Sequence, residues 1–463
     1  MFETICDGLP GDPDMPARVA RLAILNRVLD GSIYDGLPYQ FHQERNGAGE
    51  YIPLRLRKPS IRYGLCRTVV EDSVSLLFSA GHFPSLDAQD PTLVRVLADV
   101  VTETGLNEVM IDAAIRGSVG SVVLLMRILS GRVFVTALDT IHLTPEWSND
   151  APDELYRVTE KFKVSGRDLV AQGYKVSDPG AVYWFQRVWD KLAETWYLPW
   201  EVGQMPGLPM VDEDRTIIHG LGFVPMVWIR NLPGGDGIDG ACTFRRAIET
   251  NIEIDYQLSQ AGRGLKYSSD PTLLIKEPAT SDSEIIKGAG NALVVSEKGD
   301  ARLLEIGGTA CDAVISYVRV LREFALESVH GNRASPEKLA VAQSGRAMEM
   351  MNQGMIWLAD NLRISYGERG VLRLMRMIVA ASTIFPLRVL GCEIGPLDAN
   401  ARLKLRWPRW YPLSPDDRLK EAQAVAVLSQ AGQISQRSAV KILAEANDIF
   451  DVEREIEQID GDD

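Results

Sequence analysis

The strongest constraint on the fold lies between residues 243 and 329, where two helical patterns of similar length enclose a segment of strand patterns. Apolar residues recur every three or four positions in both flanks, which predicts helices over 243–262 and about 309–329. Glycines and prolines bound the segment 266–308. Its predicted strands are Thr272–Lys276, Ala292–Ser296 and Ala301–Ile306. This order predicts a small β module inserted between two helices.

The remaining patterns predict an α+β chain. Between residues 121 and 200 the apolar residues alternate with period two, which is typical of short strands. Residues 222–230 predict another strand, and 343–384 predict a very long helix. The other predicted segments are a helix at 16–29, a Gly-, Pro- and Tyr-rich extended arm or loop at 30–56, helices at 60–80, 91–103 and 105–117, a basic strand-like stretch at 386–412, and short polar helices beyond it.

The charge balance excludes an ordinary duplex-DNA reader. The chain of 463 residues has 49 Lys and Arg against 63 Asp and Glu, a net charge of −14, whereas such a reader needs a basic face. Residues 415–463 alone hold 12 acids and 5 bases. A solvated acidic cap explains this excess, and so does a surface that faces DNA without adhering to it. The N-terminus lacks the pattern of a secretion signal, and the apolar run 377–385 is too short to span a membrane, so we expect a soluble protein.

No motif indicates catalysis, a metal or a cofactor. Gly235–Gly240 matches G-x-G-x-x-G, but Asp236 and Asp239 would repel a pyrophosphate, so we expect a flexible hinge before a helix, capped by Asp239 or Thr243. P-loop, H-E-x-x-H and G-x-S-x-G motifs do not occur, and the five histidines are scattered. The five cysteines lie far apart, which favours buried, reduced thiols. An acidic cytosolic enzyme with a site of two carboxylates stays open as an alternative, since sequence alone cannot pair carboxylates in space.

Both helices that flank the β module carry an apolar stripe beside a polar flank of mixed charge. Two interpretations are open for these stripes: they lie in the core of the chain, or they pack against neighbouring subunits. The stripe residues are Phe244, Ile248, Ile252 and Tyr256 in the first helix, and Val314, Tyr317, Val318 and Leu321 in the second.

Two basic segments also allow two interpretations each. The link from Gly331 to Lys338 is either a solvated loop or a loop presented to a polyanion, with Arg333 and Lys338 as its contacts. Residues 401–410 interleave bases with Trp407 and Trp410, which suggests nucleic acid, but a strand whose outer face carries bases is the favoured interpretation.

Several short motifs follow one another in a set order near the C-terminus. They are Leu405-Arg406-Trp407-Pro408, Ser414-Pro415-Asp416-Asp417, Glu421-Ala422, Ala431-Gly432-Gln433-Ile434-Ser435, Ser438-Ala439, Asp448, and Asp451-Val452-Glu453-Arg454-Glu455. Their order resembles that in portal proteins of tailed double-stranded DNA bacteriophages. Upstream, Ser344-Gly345-Arg346-Ala347 resembles the start of that family's long helix, and Asp255-Tyr256-Gln257-Leu258-Ser259 resembles its first stem helix. The resemblance covers about residues 225–460.

The resemblance implies a portal fold, with an α/β wing, a two-helix stem, a small β clip, a long kinked helix and a helical crown. It implies a non-enzymatic dodecamer at one capsid vertex of the virion, assembled in the host cytoplasm, around a channel for packaging and ejecting double-stranded DNA without sequence preference. The implied partners are the terminase, the major capsid protein and the head-tail adaptor, with no membrane. The implied tunnel-loop contacts are Asn332, Arg333, Ser335 and Lys338. The resemblance assigns residues 1–240 to the wing, 243–262 and 309–329 to the stem, 266–308 to the clip, 331–342 to the tunnel loop, 343–412 to the long helix and the completion of the wing, and 414–463 to the crown.

The net negative charge of the chain supports a ring through which DNA slides instead of binding tightly, because a ring of acidic chains repels the phosphates of a duplex. The missing P-loop agrees with ATP hydrolysis by a separate terminase. A capsid scaffold ring that does not conduct DNA stays open as a further alternative.

Overall fold

The computed structural model divides into two compact units. One comprises residues 1–72 and 112–329, and the other comprises 73–111 and 330–463. The structure describes residues 1–9, 11–79, 81–203, 209–269, 272–278, 295–304, 309–332, 345–411, 415–446, 456 and 458–459.

The helices confirm most of the segments that the sequence predicts. The described α-helices are α1 (Phe2–Asp7), α2 (Ala17–Leu29), α3 (Leu65–Phe78), α4 (Pro91–Thr104), α5 (Leu106–Gly117), α6 (Gly166–Ala171), α7 (Ile248–Ser269), α8 (Thr309–Ser328), α9 (Gly345–Met351), α10 (Gln353–Leu362), α11 (Leu372–Ser382), α12 (Pro415–Gln430) and α13 (Gln436–Ala446). Short 3₁₀ turns occupy Ser32–Tyr34, Leu54–Leu56 and Arg245–Ala247, and a π-helical segment occupies Arg363–Val371.

Most of the strands are short. Two of them, Tyr39–Gln40 and Arg57–Lys58, lie between α2 and α3 and pair with each other. The described strands are β1 (Tyr39–Gln40), β2 (Arg57–Lys58), β3 (Ser85–Asp87), β4 (Ser121–Leu129), β5 (Arg132–Asp139), β6 (Leu143–Trp147), β7 (Leu155–Ser165), β8 (Val182–Trp189), β9 (Ala193–Trp196), β10 (Trp200–Glu201), β11 (Ile217–Ile218), β12 (Met226–Arg230), β13 (Thr272–Pro278), β14 (Val295–Leu304), β15 (Leu387–Val389), β16 (Cys392–Ile394) and β17 (Lys404–Arg406).

The first unit is built on two antiparallel sheets. One has the strand order β11-β9-β8-β7-β6, with β10 beside β8, and the other has the order β12-β4-β5. The first six residues of β4 are all buried, so this strand reads as a continuous apolar run rather than an alternating one. One core cluster joins the two sheets, and it includes Val123, Leu125, Val158, Trp189 and Trp228.

A charged network lies inside this unit beside the apolar cluster. The Glu194 carboxylate, 5% exposed, accepts hydrogen bonds from Arg127 at 3.1 Å, from Arg187 at 3.3 Å and from the indole N–H of Trp196 at 3.1 Å. Arg187 also pairs with Glu160 at 2.7 Å. Because each of these charges has an opposite partner, the network ties β4 to the six-stranded sheet without leaving Glu194 unpaired.

The β module between α7 and α8 is an antiparallel hairpin. Strand β13 pairs with β14 in a register that sets Thr272 opposite Leu304 and Ile275 opposite Ala301. The two strands predicted at 292–296 and 301–306 are wrong as separate elements, since the described part of both lies in one strand, Val295–Leu304. Strand β14 pairs with β13 from Asp300 to Leu304 and again at Val295, with a register shift between these two stretches.

In the second unit, the long predicted helix is interrupted. It consists of α9, a break at Asn352, α10, the π-helical segment and α11. Its inner face is buried along its length, including Leu358, Tyr366, Leu374 and Ile378. Strand β17 pairs with β3, and β15 pairs with β16 in a hairpin.

Two further predictions need correction. The helix predicted from residue 243 begins at Ile248, after a 3₁₀ turn that starts at Arg245. Cys66 is buried as predicted, but Cys392 is exposed, because it lies at the solvent-facing end of the β15–β16 hairpin. Among the described residues, no helix combines the length and apolarity needed to span a membrane, and no cluster of His, Cys, Asp and Glu suits a metal ion.

Candidate subunit-contact surfaces and channel segments

The stripe predicted on the first flanking helix is core. Phe244, Ile248, Ile252 and Tyr256 are 0%, 1%, 1% and 4% exposed within a single chain. The Tyr256 ring meets the edge of the Tyr34 ring at a centroid distance of 6.2 Å. These side chains stabilise the subunit itself, as the core interpretation predicts, and they leave no apolar face at these positions for a neighbouring subunit.

A buried carboxylate on α7 holds the preceding chain against this helix. Asp255 is 1% exposed and accepts hydrogen bonds from the Tyr34 hydroxyl and the Tyr63 backbone N–H, both at 2.7 Å, and from the Asn251 amide at 3.0 Å. Burial raises the pKa of Asp255 above its ordinary value, although these donors oppose the rise. Burial likewise raises the pKa of Tyr256 to about 12. The residues of α7 that resemble the family's first stem helix therefore lie against their own chain.

Helix α8 has two apolar sides, and only one of them is covered. Val314, Val318 and Leu321 are partly buried. Tyr317, Val320 and Phe324 are 47%, 44% and 63% exposed. At 100° per residue these last three lie within about 60° of one another on the helix surface. We name Tyr317, Val320 and Phe324 the α8 stripe.

A second exposed apolar stripe follows the long helix of the other unit. Met350, Trp357 and Ile364 are 70%, 57% and 54% exposed and recur at seven-residue spacing, with the break at Asn352 between the first two. His330 stacks on Trp357 at a ring-centroid distance of 4.7 Å, yet more than half of the indole stays exposed. We name Met350, Trp357 and Ile364 the long-helix stripe.

The sequence analysis placed Tyr317 on an apolar stripe and left a subunit contact open for it, but it did not single out Val320, Phe324 or the long-helix stripe. The apolar residues of α8 form a wide arc, and its charged residues, which include Asp312, Arg319 and Glu323, occupy the remaining side. Large exposed apolar patches on soluble proteins mark interaction sites. The two stripes therefore indicate surfaces that another protein surface covers.

Hydrogen bonds and close packing hold the glycine-rich loop, Gly235–Gly240, in place. Asp239, 3% exposed, accepts two hydrogen bonds from the Arg18 guanidinium, each 2.7 Å, and one from the Ser121 hydroxyl at 2.5 Å. A Cβ on Gly240 would lie 2.5 Å from the backbone nitrogen of Asn231, so close packing requires glycine there. The Asp239 carboxylate is thus engaged by Arg18 and Ser121 inside the chain.

Both predicted caps of the following helix are wrong. The Asp239 carboxylate is used by arginines from α2, and the Thr243 hydroxyl accepts a hydrogen bond from the Asn231 amide at 2.8 Å. The hinge prediction also changes, because backbone bonds such as Gly240 N–H to Gly120 O, 2.8 Å, hold the loop.

The tryptophans of the basic 401–410 segment pack on the long helix. The Arg363 guanidinium carbon lies 3.2 Å from the ring centroid of Trp410 and 4.7 Å from that of Trp407. Burial lowers the pKa of Arg363 to about 10. A Cβ on Gly367 would overlap Cζ2 of Trp407, so glycine in the π-helical segment makes room for the indole. This use of the aromatic rings favours the strand interpretation over nucleic-acid binding.

The predicted tunnel loop is described only at its start. Asn332 is partly buried. Arg333, Ser335 and Lys338 lie outside the described residues, so their role stays a prediction.

The fold and these surfaces show an α+β chain in which the described residues include at least two apolar stripes that are exposed in a single copy. A family model described as phage portal protein, SPP1 Gp6-like, matches residues 53–463. The chain belongs to this phage portal protein family, which confirms both the resemblance and the α+β portal fold. It is therefore a structural protein of the virion that works in an oligomeric, capsid-associated assembly.

Comparison with solved structures gives a weaker likeness. A chain from the virion of a native gene transfer agent (GTA) particle is 12% identical, with a TM-score of 0.39, over 82% of this chain and 92% of that one. Because this TM-score is low, membership of the family rests on the family match. No curated protein matches the sequence.

Proposed function

We propose that twelve copies of the chain close into a ring at one capsid vertex and that double-stranded DNA passes through it during packaging and ejection. The observation that carries the proposal is the presence of two different uncovered apolar stripes. A head-to-tail ring needs two distinct contact surfaces on every subunit, whereas a two-fold dimer needs one. The α8 stripe and the long-helix stripe supply two such surfaces.

The segments carried over from the resemblance keep their proposed roles. Helices α7 and α8 form the stem, the β13–β14 hairpin forms the clip, residues 331–342 form the tunnel loop, and 414–463 form the crown. Residues 1–240 form the first part of the wing, and residues 343–412, which include the long helix, complete it. The helix pair with a hairpin at one end is the arrangement that a stem and clip require.

The charge of the chain supports passage without tight binding. DNA carries one negative charge per ~1.7 Å of helix axis, and a net charge of −14 per subunit repels it. Arg333 and Lys338 supply sparse phosphate contacts that hold position without reading sequence. ATP hydrolysis comes from the terminase, which docks to the ring together with the head-tail adaptor, while the major capsid protein surrounds it.

Native mass spectrometry and negative-stain imaging of the purified protein test this proposal together. A mass of twelve times 51.2 kDa and a central hole wide enough for a duplex are the expected results. A ring with a blocked hole would favour a scaffold that does not conduct DNA. A lone subunit under every condition, absent from virions, would contradict the proposal.

Deletion of residues 331–338 tests the tunnel loop. The ring should still assemble, but packaging or retention of the genome should fall. Collapse of the ring itself would show that this segment is not a tunnel loop.

A further inference from the structure

A basic surface interrupts the acidic character of the chain. We define the arm as residues 39–58, most of which precede Pro53, where the family match begins. The whole chain carries −14, yet the arm has more bases than acids. Its charged residues are Arg45, Arg55, Arg57 and Lys58 against Glu44 and Glu50.

The arm is folded back on itself. Its ends pair in parallel, with Tyr39 opposite Arg57, and a bridge joins Arg45 to Tyr51. The guanidinium of Arg57, 1% exposed, donates to the Ile52 carbonyl at 2.9 Å and 2.5 Å and lies 4.9 Å from the centroid of the Tyr51 ring. A buried positive charge therefore lies in the middle of the arm, held by carbonyls instead of a carboxylate.

The arm is also fixed to α7. The Tyr256 hydroxyl donates to the Arg57 carbonyl at 2.8 Å, and the Phe41 ring lies 6.5 Å from the Tyr256 ring. Arg263 of α7 forms an ion pair with Glu44 of the arm. The basic side chains of the arm thus extend from a rigid base, which reduces the ordering cost of binding.

Both acidic residues of the arm have a partner, whereas three of its basic residues have no carboxylate partner in the described part of the chain. Glu44 pairs with Arg263, and Glu50 accepts a hydrogen bond from the Asn46 amide at 2.9 Å. Within the described part of the chain, no carboxylate pairs with the exposed side chains of Arg45 and Arg55 or with the half-buried Lys58. Tyr51, 67% exposed, is bridged to Arg45 through the backbone and carries Arg57 over its ring.

We propose that the arm is a sequence-independent binding surface for the phosphate backbone of DNA. Unpaired arginines suit phosphate oxygens, and bases beside an exposed aromatic ring are typical of nucleic-acid surfaces. The inference rests on the proposed function for its partner and adds to it a contact site outside the predicted tunnel loop.

Fluorescence anisotropy of a labelled duplex at increasing NaCl concentrations tests the inference. Against wild type, the variant Arg45→Gln/Arg55→Gln/Lys58→Gln should bind at least about ten-fold more weakly. Its slope of log affinity against log salt should be less negative by about 2.7, since each released phosphate contact contributes about 0.9. A variant with Arg45→Lys and Arg55→Lys keeps the charges and should retain most of the affinity.

The matched control removes three exposed bases elsewhere, Arg95→Gln/Arg167→Gln/Lys175→Gln, and should bind as wild type does. Equal losses in both variants, or no loss in the arm variant, would overturn the inference. So would competition by polyglutamate that equals competition by unlabelled DNA, because the arm would then bind an acidic protein. Native mass spectrometry of the same samples separates this failure from failure of the ring, since an intact ring without arm-dependent binding contradicts the inference alone.

Discussion

Replacing Tyr317, Val320 and Phe324 by serine should weaken association between subunits and leave the folded subunit intact. The three side chains are 47%, 44% and 63% exposed in a single copy, so each still has about half of its surface to bury against a neighbour. Full burial of such a side chain stabilises by about 1.5–3 kcal/mol. Half of that, over three residues, is about 3 kcal/mol for each interface.

Because 1.4 kcal/mol corresponds to a tenfold change, this loss weakens each contact between copies by roughly 100-fold. A matched control on the same helix is Asp312→Ser/Arg319→Ser/Glu323→Ser, which introduces as many serines at exposed polar positions on a different side. The control should assemble as the wild type does, since it loses at least as much helix propensity as the stripe variant but removes no apolar surface.

The opposite result is expected for Phe244→Ala. Phe244 is 0% exposed within the chain, and truncating a buried phenylalanine costs about 3–5 kcal/mol of subunit stability. This is a large part of the roughly 5–15 kcal/mol that folds a typical domain. The variant should unfold at lower temperature or lower urea concentration whether or not subunits associate.

Native mass spectrometry reports assembly, and urea unfolding of dissociated subunits reports stability. The reasoning is refuted if the α8 stripe variant forms full rings at wild-type concentrations, or if it lowers subunit stability as much as Phe244→Ala does.

Three other changes test the internal structure. Asp239→Ala leaves the Arg18 charge without its carboxylate, so the free energy of unfolding measured in urea should fall by about 3 kcal/mol. An unchanged urea midpoint would show that the Arg18–Asp239 ion pair does not stabilise the fold. Gly367→Ala inserts a Cβ into the Trp407 ring and should cost about 1–3 kcal/mol despite the better helix propensity of alanine, whereas a higher melting temperature would refute the packing argument. Asp255 has a raised pKa in the folded state. The stability of wild type relative to Asp255→Asn should therefore fall as the pH rises from 3.8, the ordinary pKa of Asp, through the pKa of the folded state. A stability difference that grows with pH in a series of denaturation experiments would contradict this prediction.

The sequence predicted the order of elements well where one strong pattern filled a segment. Helices α2, α4 and α8 lie within a residue or two of their predicted bounds, because apolar periodicity and flanking Pro or Gly mark their ends. It failed where a distant partner decides the backbone. Segments 292–296 and 301–306 were predicted as separate strands, yet the described part of both lies in β14, which pairs with β13.

The candidate surfaces show a similar limit. Periodicity found an apolar stripe on each flanking helix, but it could not tell a covered stripe from a free one. Phe244 and Ile248 were equally consistent with a core and with a subunit contact until the neighbouring elements were in place. Asp239 looked like a helix cap by its position, and only the approach of Arg18, 221 residues away in sequence, gave the carboxylate another role.

The sequence alone determined that the chain is acidic, that it mixes helices with strands, and that a β module separates two helices. These properties follow from local composition and short-range periodicity, which each segment carries by itself. The tertiary structure decided which apolar faces are buried, which stay exposed in a single copy, and where the long helix widens around Trp407. Those outcomes depend on side chains that meet from distant positions, and burial is a property of the pair that meets rather than of either segment.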